Sequence, residues 1–390
     1  EETAVVELTP DGPVETSWRE LVREADRVST LLLQLGVVPG EAVAVQLPNW
    51  REFVATSLGI MQIGAVVTPI MTVFGRRETA MVLQRSQARV IVLPDAFRGR
   101  QPAVDLVRGA AEVAGQGRGL AVEHVVVIQT AQRLDPDAEM TEAPHQLAGD
   151  ERGAEGWEWH NYYSALAAME PDPDYLVTLM PGPDSVCQLL FTSGTTGEPK
   201  GVQHPYRTLG IATAMEVEHL GLTTADRVFV PSPLAHQTGF LYGMLLAWRL
   251  GVACVVQPIW DAPQALRDGF GAAGATFVQC ATPFLTDLVS LVESGEGQPR
   301  SLKTFVVTGA AVPRDLARRA TQVLGTTVLG AFGTTETCLG ALSAPQDPPE
   351  LAWGTDGRAL RGIDLRIVDD EGNAMPPGTE GNFELCSSTM

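Results

Sequence analysis

Across residues 16–36 the apolar positions Trp18, Leu21, Val22, Ala25, Val28, Leu31, Leu32 and Leu35 recur every three or four residues. That is the period of an amphipathic helix. Thr16 or Ser17 caps its start and Gly36 stops it. Short apolar runs then alternate with helical periods. Residues 42–46 (AVAVQ), 65–70 (AVVTPI), 88–93 (ARVIVL) and 124–129 (HVVVIQ) read as strands. Helices fall between them at 50–63, at 78–86 and once within 94–122. Residues 130–156 are polar and form a surface excursion, a short helix follows at 162–169, and 171–184, with four prolines, reads as a linker.

The alternation resumes beyond the linker. Strands are expected at 186–191 (VCQLLF), 227–231, 253–257, 276–281 (TFVQCA), 303–308 (KTFVVT) and 327–329. Helices are expected at 206–220, 240–250, about 261–269 and from Thr282 onward. After Trp353 the pattern changes: residues 364–368 and 381–385 alternate as strands, separated by the turns DDEG and PPG. Strands that alternate with helices imply an α/β fold with doubly wound sheets. The chain has 390 residues, more than one compact core. The expected architecture is two doubly wound αβ subdomains, 1–175 and 176–330, and a small β-rich subdomain over 331–390.

Charge and composition narrow the function. The net charge is -20, with 45% apolar and 19% charged residues, as in an ordinary globular enzyme. This acidity argues against nucleic acid and against an anionic membrane surface as partners. The five cysteines are scattered without metal-ligand spacing and read as buried small hydrophobes in a reducing compartment. With no signal peptide and no apolar run of about 18 residues for a membrane span, a cytoplasmic location is expected.

The chemistry concentrates in residues 191–202, FTSGTTGEPKGV. Thr192, Ser193, Thr195 and Thr196 bring hydroxyls, and Gly194 and Gly197 let the backbone turn and approach a ligand closely. Lys200 adds a point charge. Lys200 and Lys303 are the chain's two lysines among 27 basic residues, so this loop carries a cation type that the chain otherwise avoids. Such a loop suits phosphates. It lacks the Walker A spacing, because Gly197 and Lys200 are three apart and Gly201 follows the lysine. The competing reading is a plain Ser/Thr/Gly surface loop between strands.

FTSGTTGEPKGV resembles the phosphate-loop signature of the adenylate-forming superfamily: acyl-CoA synthetases, firefly-luciferase-like enzymes and peptide-synthetase adenylation domains. Further segments are similar to acyl-CoA synthetases in particular. In PLAHQTGF (233–240) the resemblance places His236 at the carboxylate pocket, the alternative being a satisfied polar residue at a helix start. No Asp or Glu lies within 232–240 to receive an α-ammonium, which a buried ammonium would need. The resemblance sets Thr282, in Thr282-Pro283-Phe284, beside the acyl pocket, where a plain helix N-cap with Pro at N1 is the other reading. Gly309, Ala310 and Ala311 are assigned to adenine and the acyl group, with Gly309 also touching substrate.

GAFGTTET (330–337) resembles the family's Gly-Tyr-Gly-x-Thr-Glu motif, which implies nucleotide contacts from Gly330, Ala331, Phe332, Gly333, Thr334 and Thr335. Gly333 also borders the substrate, Phe332 flanks adenine and Thr335 meets the α-phosphate. Glu336 binds magnesium, an ion that favours one or two carboxylates with phosphate oxygens. The catalytic set implied is Thr192, Lys200, Thr335 and Glu336, with ATP, Mg²⁺ and CoA required.

Three departures stand out. Phe332 replaces the usual Tyr, Tyr206 stands where many members have His, and the chain reaches Met390 before the family's ribose-binding Asp, hinge and C-terminal lid domain with its catalytic Lys. The expected function is an ATP-dependent carboxylate–CoA ligase acting on an apolar acid, in a family where homodimers are frequent. Two alternatives remain: a member that accepts a ready-made acyl-adenylate and catalyses only thioester formation, and a nucleotide-binding protein without ligase activity.

Overall fold

The computed structural model describes residues 2–134, 156–192, 199–310, 312–387 and 389. Two strands open the chain, β1 (Thr3–Thr9) and β2 (Gly12–Ser17). They join the second of two compact units, one comprising 16–206 with 233–236 and the other 2–15, 207–232 and 237–390. The division therefore differs from the expected one. The strands that flank the phosphate loop belong to the first unit, and the amino-terminal residues belong to the second.

The first unit is built on β3 (Ala42–Val45), β4 (Val66–Pro69), β5 (Val90–Pro94), β6 (His124–Ile128), β7 (Glu158–Asn161), β8 (Val186–Thr192) and β9 (Lys200–Pro205). They form one sheet in the order β7-β6-β5-β3-β4-β8-β9. All neighbours pair in parallel except the β8–β9 hairpin. Their apolar runs are continuous because helices cover the sheet. Val43, Val67, Ile91 and Val125 are each fully buried.

The expected helices appear at Trp18–Gln34, Arg51–Gln62, Arg76–Ser86, Pro102–Ala114 and Tyr162–Ala167. Ser17 closes the first with a capping box to Glu20, so it is the cap rather than Thr16. The stretch read as a linker contains a helical turn at Pro173–Thr178. Asp172 accepts from the Tyr175 N–H and Pro173 opens the turn, a cap-and-proline start.

A buried charge network locks this unit. Glu52, 1% exposed, takes Arg133 at 3.1 Å, Arg51 at 3.2 Å and the Tyr163 hydroxyl at 2.8 Å. Burial works to raise its pKa, but Arg133 and Arg51, with a backbone N–H and the Tyr163 hydroxyl, together hold the carboxyl below its ordinary value.

The second unit carries β10 (Val228–Val230), β11 (Cys254–Val256), β12 (Phe277–Cys280), β13 (Thr304–Val307), β14 (Thr327–Thr334), β15 (Cys338–Leu342) and β16 (Arg358–Ala359). With β1 and β2 they form a nine-stranded sheet in the order β16-β15-β14-β13-β12-β10-β11-β1-β2. The run from β1 through β14 is parallel, and β15 and β16 add antiparallel at one side. Strand β14 extends to Thr334, five residues beyond the expected end. The hairpin β17 (Ile363–Val368) and β18 (Asn382–Ser387) makes the small antiparallel sheet. Lys303 pairs with Asp226 at 3.1 Å beside the start of β13, which gives the second lysine a structural partner. No helix among the described residues is long and apolar enough to cross a membrane.

Candidate active site

Three motifs separated in sequence emerge together in the second unit. The parallel register aligns Cys280 of β12 with Val307 of β13, and Val307 with Gly330 of β14. Two residues beyond each aligned position lie Thr282, Gly309 and Phe332. Thr282 and Gly309 thus lie just past the carboxyl ends of β12 and β13, and Phe332 lies where β14 has left its parallel pairing with β13, at the end of the sheet where open α/β folds bind ligands.

Gly309 turns the chain with φ +88°, in the left-handed region that suits glycine, and Gly309 and Ala310 are exposed. Ala311 lies outside the described residues. Thr282 is the first residue of the helix Thr282–Glu293, whose N-cap is Ala281. Its hydroxyl therefore does not cap the helix, and its Oγ1 is buried without a hydrogen-bond partner.

The segment 330–336 is shaped by its own backbone as well as by any ligand. A Cβ on Gly330 would meet the Thr355 carbonyl at 2.3 Å, and one on Gly333 would meet the Cys338 carbonyl at 2.4 Å. Both glycines thus have a packing reason. The Ala331 side chain is buried, leaving only its backbone to a ligand. Phe332 is exposed and packs edge-on against Phe383 at a centroid distance of 4.9 Å, leaving ring surface open. Thr334 and Thr337 share a hydroxyl contact of 3.0 Å that closes the turn. Thr335 is half-buried, and Glu336 projects into solvent at the turn's tip. An exposed carboxylate next to hydroxyls fits a magnesium ion that keeps most of its waters.

In the first unit, Thr192 and Lys200 face each other across the β8–β9 ladder. Thr192 is half-buried and Lys200 exposed. Ser193, Gly194, Thr195, Thr196 and Gly197 lie outside the described residues, so the structure gives the base of this loop. His236 sits in the segment 233–236, which the Asn49 carboxamide holds by accepting from the Leu234 N–H at 2.7 Å. The imidazole keeps an exposed edge, yet desolvation pushes its pKa below the usual value, favouring the neutral ring. Tyr206 donates its hydroxyl to the Met61 carbonyl at 2.6 Å, a structural use of that side chain.

Sequence reasoning missed several buried polar groups of the second unit, Gln279 and Glu216 among them. Gln279 on β12 is 3% exposed with neither amide atom hydrogen-bonded, and Glu216, in the helix Tyr206–Leu220, is fully buried with both carboxyl oxygens unpartnered. Burial raises the Glu216 pKa well above its ordinary value. The available signal was a polar residue inside an apolar run, as in TFVQCA.

Four of the five cysteines are buried as expected, and Cys386 departs from that expectation. Cys187, Cys254, Cys280 and Cys338 are buried and Cys386 is exposed.

Comparison with known proteins gives a consistent picture. A family model described as AMP-binding enzyme matches residues 1–389. The medium-chain fatty-acid–CoA ligase of Escherichia coli K12 is 29% identical over 366 residues, covering 94% of this chain and 59% of that protein. The 3-hydroxybenzoate/4-hydroxybenzoate–CoA ligase of Thauera aromatica is 25% identical over 370 residues, covering 94% and 63%. The chain thus spans about three fifths of these relatives' length. Among solved structures, the anthranilate CoA ligase AuaEII in complex with anthranoyl-AMP superposes with a TM-score of 0.80 at 24% identity, over 100% of this chain and 67% of that one. ATP-bound MatB from Rhodopseudomonas palustris gives 0.76 at 22%, over 99% and 67%. At these identities the superpositions show a shared fold.

Proposed function

The chain belongs to the AMP-binding enzyme family, and on that footing we propose that it is the core of an ATP-dependent carboxylate–CoA ligase. The observation that carries this reading is the register that aligns Cys280, Val307 and Gly330, with Thr282, Gly309 and Phe332 each two residues beyond and the Thr335–Glu336 turn following directly. The named relatives that act on fatty and hydroxybenzoic acids support it.

In this reading a substrate carboxylate oxygen attacks the α-phosphorus of ATP. The bond to the bridging oxygen breaks, pyrophosphate leaves, and a mixed acyl–phosphate anhydride forms. The thiol of CoA then adds to the acyl carbon, loses its proton, and displaces AMP. No covalent enzyme intermediate is needed, so the protein contributes positioning and preorganised charge. Within the first unit, Lys200 would offset phosphate charge and the Thr192 hydroxyl would donate to a phosphate oxygen; within the second, Phe332 would supply a ring face to adenine and the Thr335 hydroxyl would donate to the α-phosphate. The neutral imidazole of His236 borders the carboxylate. Glu336 would hold Mg²⁺, which supplies charge neutralisation to the phosphates when bound.

The acid proposed is apolar, given Gly309, Ala310 and the apolar rings of Trp260 and Phe284, which pack 5.0 Å apart. A second reading has its own observation. The unpartnered Gln279 amide and Thr282 hydroxyl favour an acid with a hydrogen-bonding substituent, because an unsatisfied buried group costs about 1–3 kcal/mol.

The test is pyrophosphate release by the gene product containing this chain. ATP, Mg²⁺ and matched panels of fatty, aryl, hydroxyaryl and amino acids would be supplied. Acid-dependent release supports the ligase, and the preferred panel separates the two readings of the acid. Nucleotide binding without release from any acid would overturn the proposal.

A further inference from the structure

We propose that His124, Glu158 and His160 form a divalent transition-metal site that staples the edge strand β7 to β6, apart from the nucleotide chemistry. The two strands run parallel, with His124 opposite Glu158 and Val126 opposite His160. Side chains two apart on a strand share a face. Glu158 and His160 therefore project together on the side where His124 projects from β6.

The donor atoms converge. His124 Nδ1 lies 3.3 Å from His160 Nε2 and 3.5 Å from a Glu158 carboxylate oxygen. All three donors fall within 4.8 Å of one another. Zinc bonds of about 2.0–2.2 Å in tetrahedral geometry require donor atoms about 3.3–3.5 Å apart. Both measured separations meet that requirement. The Glu158 side chain is 69% exposed, which leaves it room to complete the triangle. Water would occupy the fourth position.

The arrangement is hard to satisfy without an ion. His124 Nδ1 faces both an imidazole nitrogen and a carboxylate oxygen, and one proton on it can serve only one of them. Two imidazoles with one carboxylate suit zinc and its neighbours rather than magnesium or calcium. The site thus differs in kind from the lone carboxylate at Glu336. Strand β7 is four residues long and at the sheet's edge, where a cross-strand ion would add most.

The experiment titrates tag-free, metal-stripped protein with Zn²⁺ by calorimetry and with Co²⁺ by visible absorption, and follows the melting temperature. Wild type, Glu158→Gln and His124→Gln/His160→Gln are compared. The expected result is Zn²⁺ binding near one equivalent, a Co²⁺ spectrum of tetrahedral type and a melting temperature raised by the metal. Glu158→Gln, an exposed change that leaves the fold intact, should weaken Zn²⁺ binding at least about tenfold, and the double variant should abolish both effects. If wild type binds no Zn²⁺ at micromolar concentration, the 3.3 Å contact is a plain imidazole hydrogen bond and the proposal falls. It falls equally if the Glu158→Gln variant retains full affinity and the Co²⁺ spectrum is unchanged. ATP binding is not an index here, so failure of this site leaves the ligase reading untouched.

Discussion

Thr192 stands directly opposite Lys200 in the antiparallel β8–β9 ladder. The hairpin brings the first hydroxyl and the only motif lysine of the phosphate-loop sequence together at the loop's mouth. Eight positions apart in the chain, they become cross-strand neighbours, with Cβ atoms about 4.5–5.5 Å apart in such pairs. The strand that carries Lys200 is polar and ends in a proline, so only its pairing with β8 makes it a strand.

Removing the ammonium should affect ligand and not fold. Lys200→Ala is expected to weaken ATP binding by about 10- to 100-fold, the range for a lost charge-assisted hydrogen bond. The residue is exposed, so the melting temperature should stay nearly constant. Calorimetric titration with ATP and with AMP, beside a thermal scan, checks this. A large drop in melting temperature with unaltered ATP affinity would make the lysine structural.

Glu336 projects from its turn, and Glu336→Gln should act through the metal alone. Activity should fall most at low Mg²⁺ and recover partly as Mg²⁺ is raised. Turnover measured across a magnesium series decides it. A deficit of equal size at every concentration would count against the metal role.

Glu52 makes an opposite case, a structural one. Its pKa is held below the ordinary value, so its stabilising effect is present above that range and is lost as pH falls through the folded value. Glu52→Gln removes the buried carboxylate that Arg133 and Arg51 share, Arg51 keeping Glu24 at 3.6 Å, and should cost about 3–5 kcal/mol at pH 7. The deficit should shrink on acidification. Denaturant unfolding of both proteins at several pH values reads it, and an unchanged midpoint at pH 7 would show that the network is dispensable.

Glu216 has the reverse sign. Its folded pKa is raised by burial, so the unfolded chain gives up this proton first as pH rises from the ordinary glutamate value of about 4.3. Stability is complete below that value and declines with rising pH, by up to about 1.4 kcal/mol per unit. Glu216→Gln should remove the decline, so that the variant gains on wild type from pH 5 to pH 9 in a melting series. Parallel curves would mean that the carboxyl finds a charged-state partner.

Much of the fold was legible because the central strands are buried on both faces. Runs such as AVAV, VIVLP and TFVV are apolar without alternation, and each became a parallel strand. Less was legible where pairing decides the structure. EWHN became β7 by pairing with β6, and the amino-terminal strands joined a sheet whose other members begin more than 200 residues later. The Pro173 turn was readable from Asp172 and the proline but was masked by the surrounding prolines. At the site, the motifs were visible one by one. Their convergence was not, because it depends on the register that aligns Cys280, Val307 and Gly330. Gly330 and Gly333 read as ligand contacts, whereas the backbone at Thr355 and Cys338 already requires them.

The most direct test of the ligase reading is acid-dependent exchange of labelled pyrophosphate into ATP, measured on the gene product that contains this chain and on its Lys200→Ala variant. The account predicts exchange that appears only with a carboxylic acid from the panel and falls sharply in the variant. Absence of exchange with every acid, in a protein that still converts a supplied acyl-adenylate and CoA to the thioester, would contradict it and establish a thioester-forming enzyme that does not adenylate.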